Sequence, residues 1–182
     1  MAAVAEPLLM TVEQYRQLPE RDDVLQELHW GQLITLTRPK ARHVKLQSRL
    51  VRLLRPRAEH LGYVESELPF RALPEYDLRA ADVAFVAKQR WDEVQDDDDL
   101  RGAPELVIEV LSRSNTQAKI QELAALCLSA GTQELWVIDA KRETVTITSR
   151  QGMSMVYGRE DRIPLSLFGG DLAVSEIFSR AY

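Results

Sequence analysis

The chain has 182 residues, a length that fits a single domain over residues 1–182 at about 150 residues per domain and needs no disulfide or metal staple to bury a core. Hydrophobic residues at 45% and charged residues at 28% exclude extended disorder, collagen-like repeats and a disulfide scaffold, and the formal net charge of −5 argues weakly against a nucleic-acid partner. The lone Cys127 cannot form an intramolecular bridge, the N-terminus lacks a secretory pattern, and no run of about 18 apolar residues exists to span a membrane, so a soluble cytoplasmic protein is expected.

In chain order, Thr11 with Glu13 and Gln14 opens a short helix that closes near Pro19. Residues 24–37 read as a hairpin turning at Trp30-Gly31. A helix follows from Ala41 to Arg55, expected to stop before Pro56. Between Glu27 and Glu59 there is no acidic residue, while Arg38, Lys40, Arg42, Lys45, Arg49, Arg52, Arg55 and Arg57 supply eight positive charges. On the helix Arg42, Lys45, Arg49 and Arg52 share one stripe, either a solvated basic face or a footprint for phosphates. His43 projects with Leu50 and Leu54, toward the interior or a site at its edge.

Strand-length apolar runs come next at Gly62–Glu67, Asp82–Val86 and Leu106–Leu111. Between the last two, the acidic run from Asp96 to Asp99 reads as a solvated linker rather than a metal site, and residues 87–103 as a contact loop or a linker. Ser114 and Gln117 have the spacing of a capping box for a helix that ends at Gly131, with Ile120, Leu123, Ala124 and Cys127 as its apolar stripe. Glu134–Asp139 and Thr144–Thr148 add strands, and a tail with Ile163–Leu167 extended and Leu172–Phe178 helical is expected across one edge. No fixed-period repeat is present, and the order of elements indicates an α/β fold on a mixed β-sheet flanked by helices.

Two acids interrupt runs that otherwise read as buried strands: Asp82 in Ala81–Val86 and Glu109 in Leu106–Val110. A carboxylate in such company must be ion-paired, with Arg79 as one available cation, must ligate a metal, or must be neutralised. Two acids in one sheet suggest a shared ion, and Mg²⁺ takes one or two carboxylates alongside water and phosphate oxygens.

Arg79–Val86, Pro104–Ser112, Ser114-Asn115-Thr116 and Ala130–Asp139 together resemble the Uma family of restriction-endonuclease-like proteins, within the PD-(D/E)XK nuclease superfamily. The resemblance extends from Thr11–Tyr15 and Leu25–Leu28 to Ser175–Phe178. It implies a restriction-endonuclease-like core and Mg²⁺- or Mn²⁺-dependent hydrolysis of DNA phosphodiesters. Asp82 and Glu109 would be the metal ligands, Glu27 a third acidic contributor, and His43 the histidine that recurs at the start of the first long helix. A homodimer is plausible on the same ground, because a duplex offers two strands.

The chain departs from the superfamily's pattern at Ala81 and Leu111, the latter as is normal for the family, and from the family's own pattern at Leu123 and at Cys127, where an aromatic is usual. The superfamily's motif proline is Ala81, and the position two beyond Glu109 is Leu111 rather than lysine. The helix lysine to which the family shifts that charge falls at Leu123, while Lys119 lies one turn earlier and is the available substitute. Two functions are therefore expected: a metal-dependent endonuclease, with Lys119 as its third element, or a catalytically impaired nucleic-acid-binding module of the same fold. An oligomerising protein with no nucleic-acid role is a third.

Overall fold

The computed structural model describes residues 9–19, 23–112 and 115–179. Helix α1 (Val12–Arg16) opens on Thr11, whose hydroxyl accepts the Gln14 N–H while the Gln14 side chain accepts the Thr11 N–H. Strands β1 (Leu25–His29) and β2 (Gln32–Leu36) form the hairpin, turning through Trp30 and Gly31 with φ of 52° and 75°. Two successive positive φ values give the primed turn that matches the strands' twist.

Helix α2 runs from Ala41 to Ala58, past the stop expected at Pro56. Pro56 sits in the last turn, where only one backbone hydrogen bond is forfeited. The Arg57 guanidinium donates to the Leu53 carbonyl, and fully buried Leu54 and Ala58 anchor the turn.

The main sheet is built from β3 (Gly62–Arg71), β4 (Arg79–Ala87), β5 (Leu100–Arg101), β6 (Leu106–Val110), β7 (Glu134–Asp139), β8 (Thr144–Ser149) and β9 (Ser154–Tyr157). Its order is β5-β3-β4-β6-β7-β8-β9, with β3–β5 and β6–β7 parallel and the other pairs antiparallel. The parallel pair β6–β7 is joined by α4 (Gln117–Ser129), the helical crossover such a connection requires. Thr116 caps α4 by accepting the Lys119 N–H at 3.3 Å, whereas Ser114 lies outside the described residues.

Helices cover both faces of the sheet. Leu46, Leu50 and Leu54 of α2 pack on Val83, Phe85, Ile108 and Trp136, and Leu126 and Cys127 of α4 pack on Ala84, Val86, Val107 and Leu135. The tail forms the hairpin β10 (Arg162–Pro164) and β11 (Asp171–Ala173) before α5 (Val174–Phe178), so Leu172 lies in a strand rather than a helix. Ile163, Leu165, Leu172 and Ile177 are buried in the layer under α2, which places the tail over a face instead of an edge.

Two further segments differ from the sequence reading. Strand β3 continues past Glu67 to Arg71, and residues 87–103 hold α3 (Lys88–Asp92) and β5 rather than a bare loop. The acidic run is solvated only at Asp96 and Asp97, which are exposed, while Asp98 and Asp99 are tied into the fold. Asp98 accepts from Arg16 at 3.1 Å, from the nearly buried Arg71 at 3.3 Å and from Arg101 at 3.1 Å, while Asp99 meets Arg16 at 2.6 Å. The Asp99 N–H, with Arg101 and Arg16 behind it, holds the Asp98 carboxyl well below the usual carboxylate range. Among the described residues, no helix is long and apolar enough to cross a membrane.

Candidate active site

Strand β4 lies inside the sheet, and Ala81, Val83, Ala84 and Val86 on it are fully buried. Its register with β3 pairs Ser66 with Val83 and Leu68 with Ala81, and its register with β6 pairs Val83 with Ile108. Asp82 is thereby flanked by Glu67 on one neighbouring strand and by Glu109 on the other.

The sheet is kinked at this point. Glu67 has a φ of 52°, in the left-handed region that side chains other than glycine's rarely adopt. Val64 packs in the layer under α2 and Leu68 in the layer under α4, although strict alternation would give them one face. Val83 and Ala81 on β4 divide between the two layers in the same way. The kink turns Glu67 and Asp82 toward the start of α2.

There, His43 Nε2 lies 2.8 Å from Asp82 Oδ1, and the buried Gln47 Nε2, one helical turn on, donates to the same oxygen at 3.0 Å and to Glu67 Oε1. The second oxygen, Asp82 Oδ2, accepts the Val110 N–H at 2.7 Å. His43, Glu67 and Asp82 each offer a ligand atom, and these atoms all lie within 4.8 Å of one another. The hydrogen bond to Asp82 raises the His43 pKa, despite partial burial. Desolvation raises that of Glu67, with the Asp82 and Glu27 charges adding to it against the Gln47 hydrogen bond.

Glu109 is pushed well above the ordinary glutamate range, first by burial, then by the charges of Asp82 and Glu27, while the Asp82 N–H opposes the shift. Glu27, on β1, accepts the Ala80 N–H at 3.0 Å and stands 2.5 Å from His29 Nε2. Four carboxylates thus lie within electrostatic range of one another. No lysine or arginine among the described residues pairs with Glu67, Asp82 or Glu109. Arg79, the cation the sequence offered them, is bound through Nε to both Asp77 oxygens at 2.9 Å. A concentration of negative charge with nitrogen and oxygen donors converging on one point suits a cation.

The structure brings together His43, Asp82, Glu109 and Glu27 from the sequence candidates and adds Glu67, Gln47 and His29. A signal for Glu67 exists: Leu68-Pro69-Phe70 prolongs the apolar run beyond it, which makes it an acid inside a strand like Asp82. Lys119 is exposed in the first turn of α4, and Leu123 is half-buried against the core layer under that helix.

The basic stripe divides. Arg42 donates to the Ala140 carbonyl, and Arg49 donates to the carbonyls of Ile177, at 3.2 Å, and Ser179. Lys45 and Arg52 are exposed.

Comparison with solved structures finds a crystal structure of a "putative nuclease belonging to DUF820" from Anabaena variabilis ATCC 29413, superposable with a TM-score of 0.77 at 23% identity over 93% of this chain and 97% of that one. That likeness shows a shared fold. Comparison with curated proteins returns no match. A family model described as "Putative restriction endonuclease" matches residues 12–175, nearly the whole chain, and the chain therefore belongs to this family, Uma2.

Proposed function

We propose that the protein is a divalent-metal-dependent nuclease that hydrolyses DNA phosphodiester bonds. The convergence of His43, Glu67 and Asp82 within 4.8 Å, beside Glu109 on the next strand, carries this reading. Asp82 and Glu67 would hold the ion, and Glu109 would complete the acidic surround when deprotonated. An ion held there lowers the pKa of a bound water and offsets charge that accumulates on the phosphate. Both Mg²⁺ and Mn²⁺ accept carboxylates, but the His43 imidazole tilts the donor set toward Mn²⁺. Gln47 fixes the relative position of the two carboxylates, and Glu27, itself held by His29 and the Ala80 N–H, adds to the negative field. Lys119 is the remaining source of an ammonium on α4.

The test is incubation of supercoiled plasmid with Mg²⁺ or Mn²⁺, following nicking and linearisation. Loss of cleavage in Asp82→Ala and Glu109→Ala supports the reading, and a wild-type rate in Asp82→Ala overturns it. One observation favours a second reading, a DNA-binding module with weakened catalysis: the α4 position expected to carry lysine is the half-buried Leu123. DNA binding without cleavage in either metal would favour that second reading.

A further inference from the structure

A cleft of about 330 Å³ opens between the β1–β2 hairpin and α2, and Gln47 and Glu67 belong both to its lining and to the carboxylate site. Its walls include Leu25 and Val44, which leave 41% and 44% of their surface open. Arg38 and the hydroxyls of Ser48 and Ser66 supply polar groups. The volume lies at the small end of sites for organic ligands, about 300–1,000 Å³, and admits a single nucleotide but not a base pair with its two backbones.

The lining matches the parts of a nucleotide. Apolar side chains suit the faces of a base that has left its stack, and hydroxyls suit its polar edge. Glu67 belongs both to the cleft and to the carboxylate group, so a phosphodiester over Glu67 and Asp82 would lie next to the cleft. We propose that the cleft seats one unstacked nucleotide of the DNA strand whose phosphodiester lies over Glu67 and Asp82, so that the protein prefers locally unpaired DNA to a perfect duplex. The proposal rests on the nuclease reading for the position of the phosphodiester.

The experiment is a fluorescence titration in Ca²⁺ of duplexes that carry 2-aminopurine either fully paired or at a mismatch. The expected result is at least ten-fold tighter binding of the mismatched duplex, with a several-fold rise in fluorescence as the base leaves its stack. Ser48→Leu on α2 and Ser66→Leu on β3, each filling the cleft from a different element, should bring the two affinities to within about two-fold of one another. Circular dichroism and Tm confirm that each variant is folded. Equal affinity for the two duplexes without a fluorescence rise, or an undiminished preference in both folded variants, overturns the proposal. Failure to cut plasmid in Mg²⁺ or Mn²⁺ is read separately. It removes the catalytic reading and leaves base capture to be judged by the titration.

Discussion

Glu67 lies between Ser66 and Leu68, the ladder partners of Val83 and Ala81, and so stands beside Asp82 across the β3–β4 pair, where Gln47 Nε2 donates to both carboxylates. Like charges facing one another across a sheet are destabilising, and here one of them sits on a left-handed backbone. Such an arrangement gains stability from a cation that binds only the folded chain, about 2.7 kcal/mol at a hundred-fold excess over Kd. Mn²⁺ should therefore raise the Tm of the wild type, while Glu67→Gln should melt at or above the wild type in EDTA and lose most of the Mn²⁺ shift. Thermal unfolding with and without Mn²⁺ measures both effects, and an undiminished shift in Glu67→Gln would take this carboxylate out of the ion's surround.

A second prediction concerns the acidic run. The Asp98 carboxyl has its pKa depressed in the folded chain, so its contribution is fully present above the unfolded value of about 3.9 and is lost as pH falls toward the folded value. It also faces Arg71, whose side chain is only 3% exposed and whose other partner is Glu13. Asp98→Asn should destabilise the protein by about 1 kcal/mol at neutral pH, the scale of a hydrogen bond lost at a partly exposed ion pair. The difference from wild type should narrow between about pH 4 and pH 2. Urea unfolding across that range checks it, and a difference independent of pH would show that charge is not the cause.

His43 and Asp82 were each legible in the sequence, because helical phase set His43 apart from the arginines and an acid broke an apolar strand, but their contact was not, since neither periodicity says which helix packs on which strand. Glu67 was not legible as their partner, because the φ of 52° at Glu67 itself ends the alternation on which strand reading depends. Gln47 carries no charge and occupies a helix position that any core residue would suit. The role of Asp98 was missed for a different reason. Its neighbours in sequence are like charges, while its partners Arg16 and Arg71 lie 82 and 27 residues away. Local charge counting sees the repulsion and not the distant guanidinium groups that offset it.

The basic stripe on α2 gives a third prediction, in which residues alike in sequence behave differently. Arg49 holds the carbonyls of Ile177 and Ser179, so Arg49→Ala should cost about 1–3 kcal/mol of stability by leaving partly buried acceptors without this donor. Exposed Lys45 and Arg52 should contribute through phosphate contacts instead. Lys45→Ala and Arg52→Ala should each reduce the salt slope of DNA affinity by about one, and Arg52→Ala should leave Tm within about 1 °C. Affinity titrations over a salt series measure the slope. Unchanged slopes in both variants would place the DNA on another face.

The fourth prediction addresses the cation on α4. Leu123 packs half-buried against the layer containing Leu126 and Cys127, and exposed Lys119 precedes it by one turn on the same side of the helix. A lysine at position 123 can keep its stem against that layer, at a cost of about 1 kcal/mol, and lies one turn from Cys127, on which the Glu109 charge acts. A fixed ammonium near the phosphate stabilises the charge that develops in the transition state, whereas one that must reach from Lys119 loses side-chain freedom to do so. Leu123→Lys should therefore raise the nicking rate of supercoiled plasmid in Mn²⁺ by ten-fold or more, and Asp82→Ala in that background should abolish it. Lys119→Ala should slow the wild type and leave Leu123→Lys nearly unaffected, because the two ammonium groups would serve one role. If Leu123→Lys is folded, binds Mn²⁺ and cuts no faster than wild type, the missing lysine does not limit this protein and the cation must come from elsewhere.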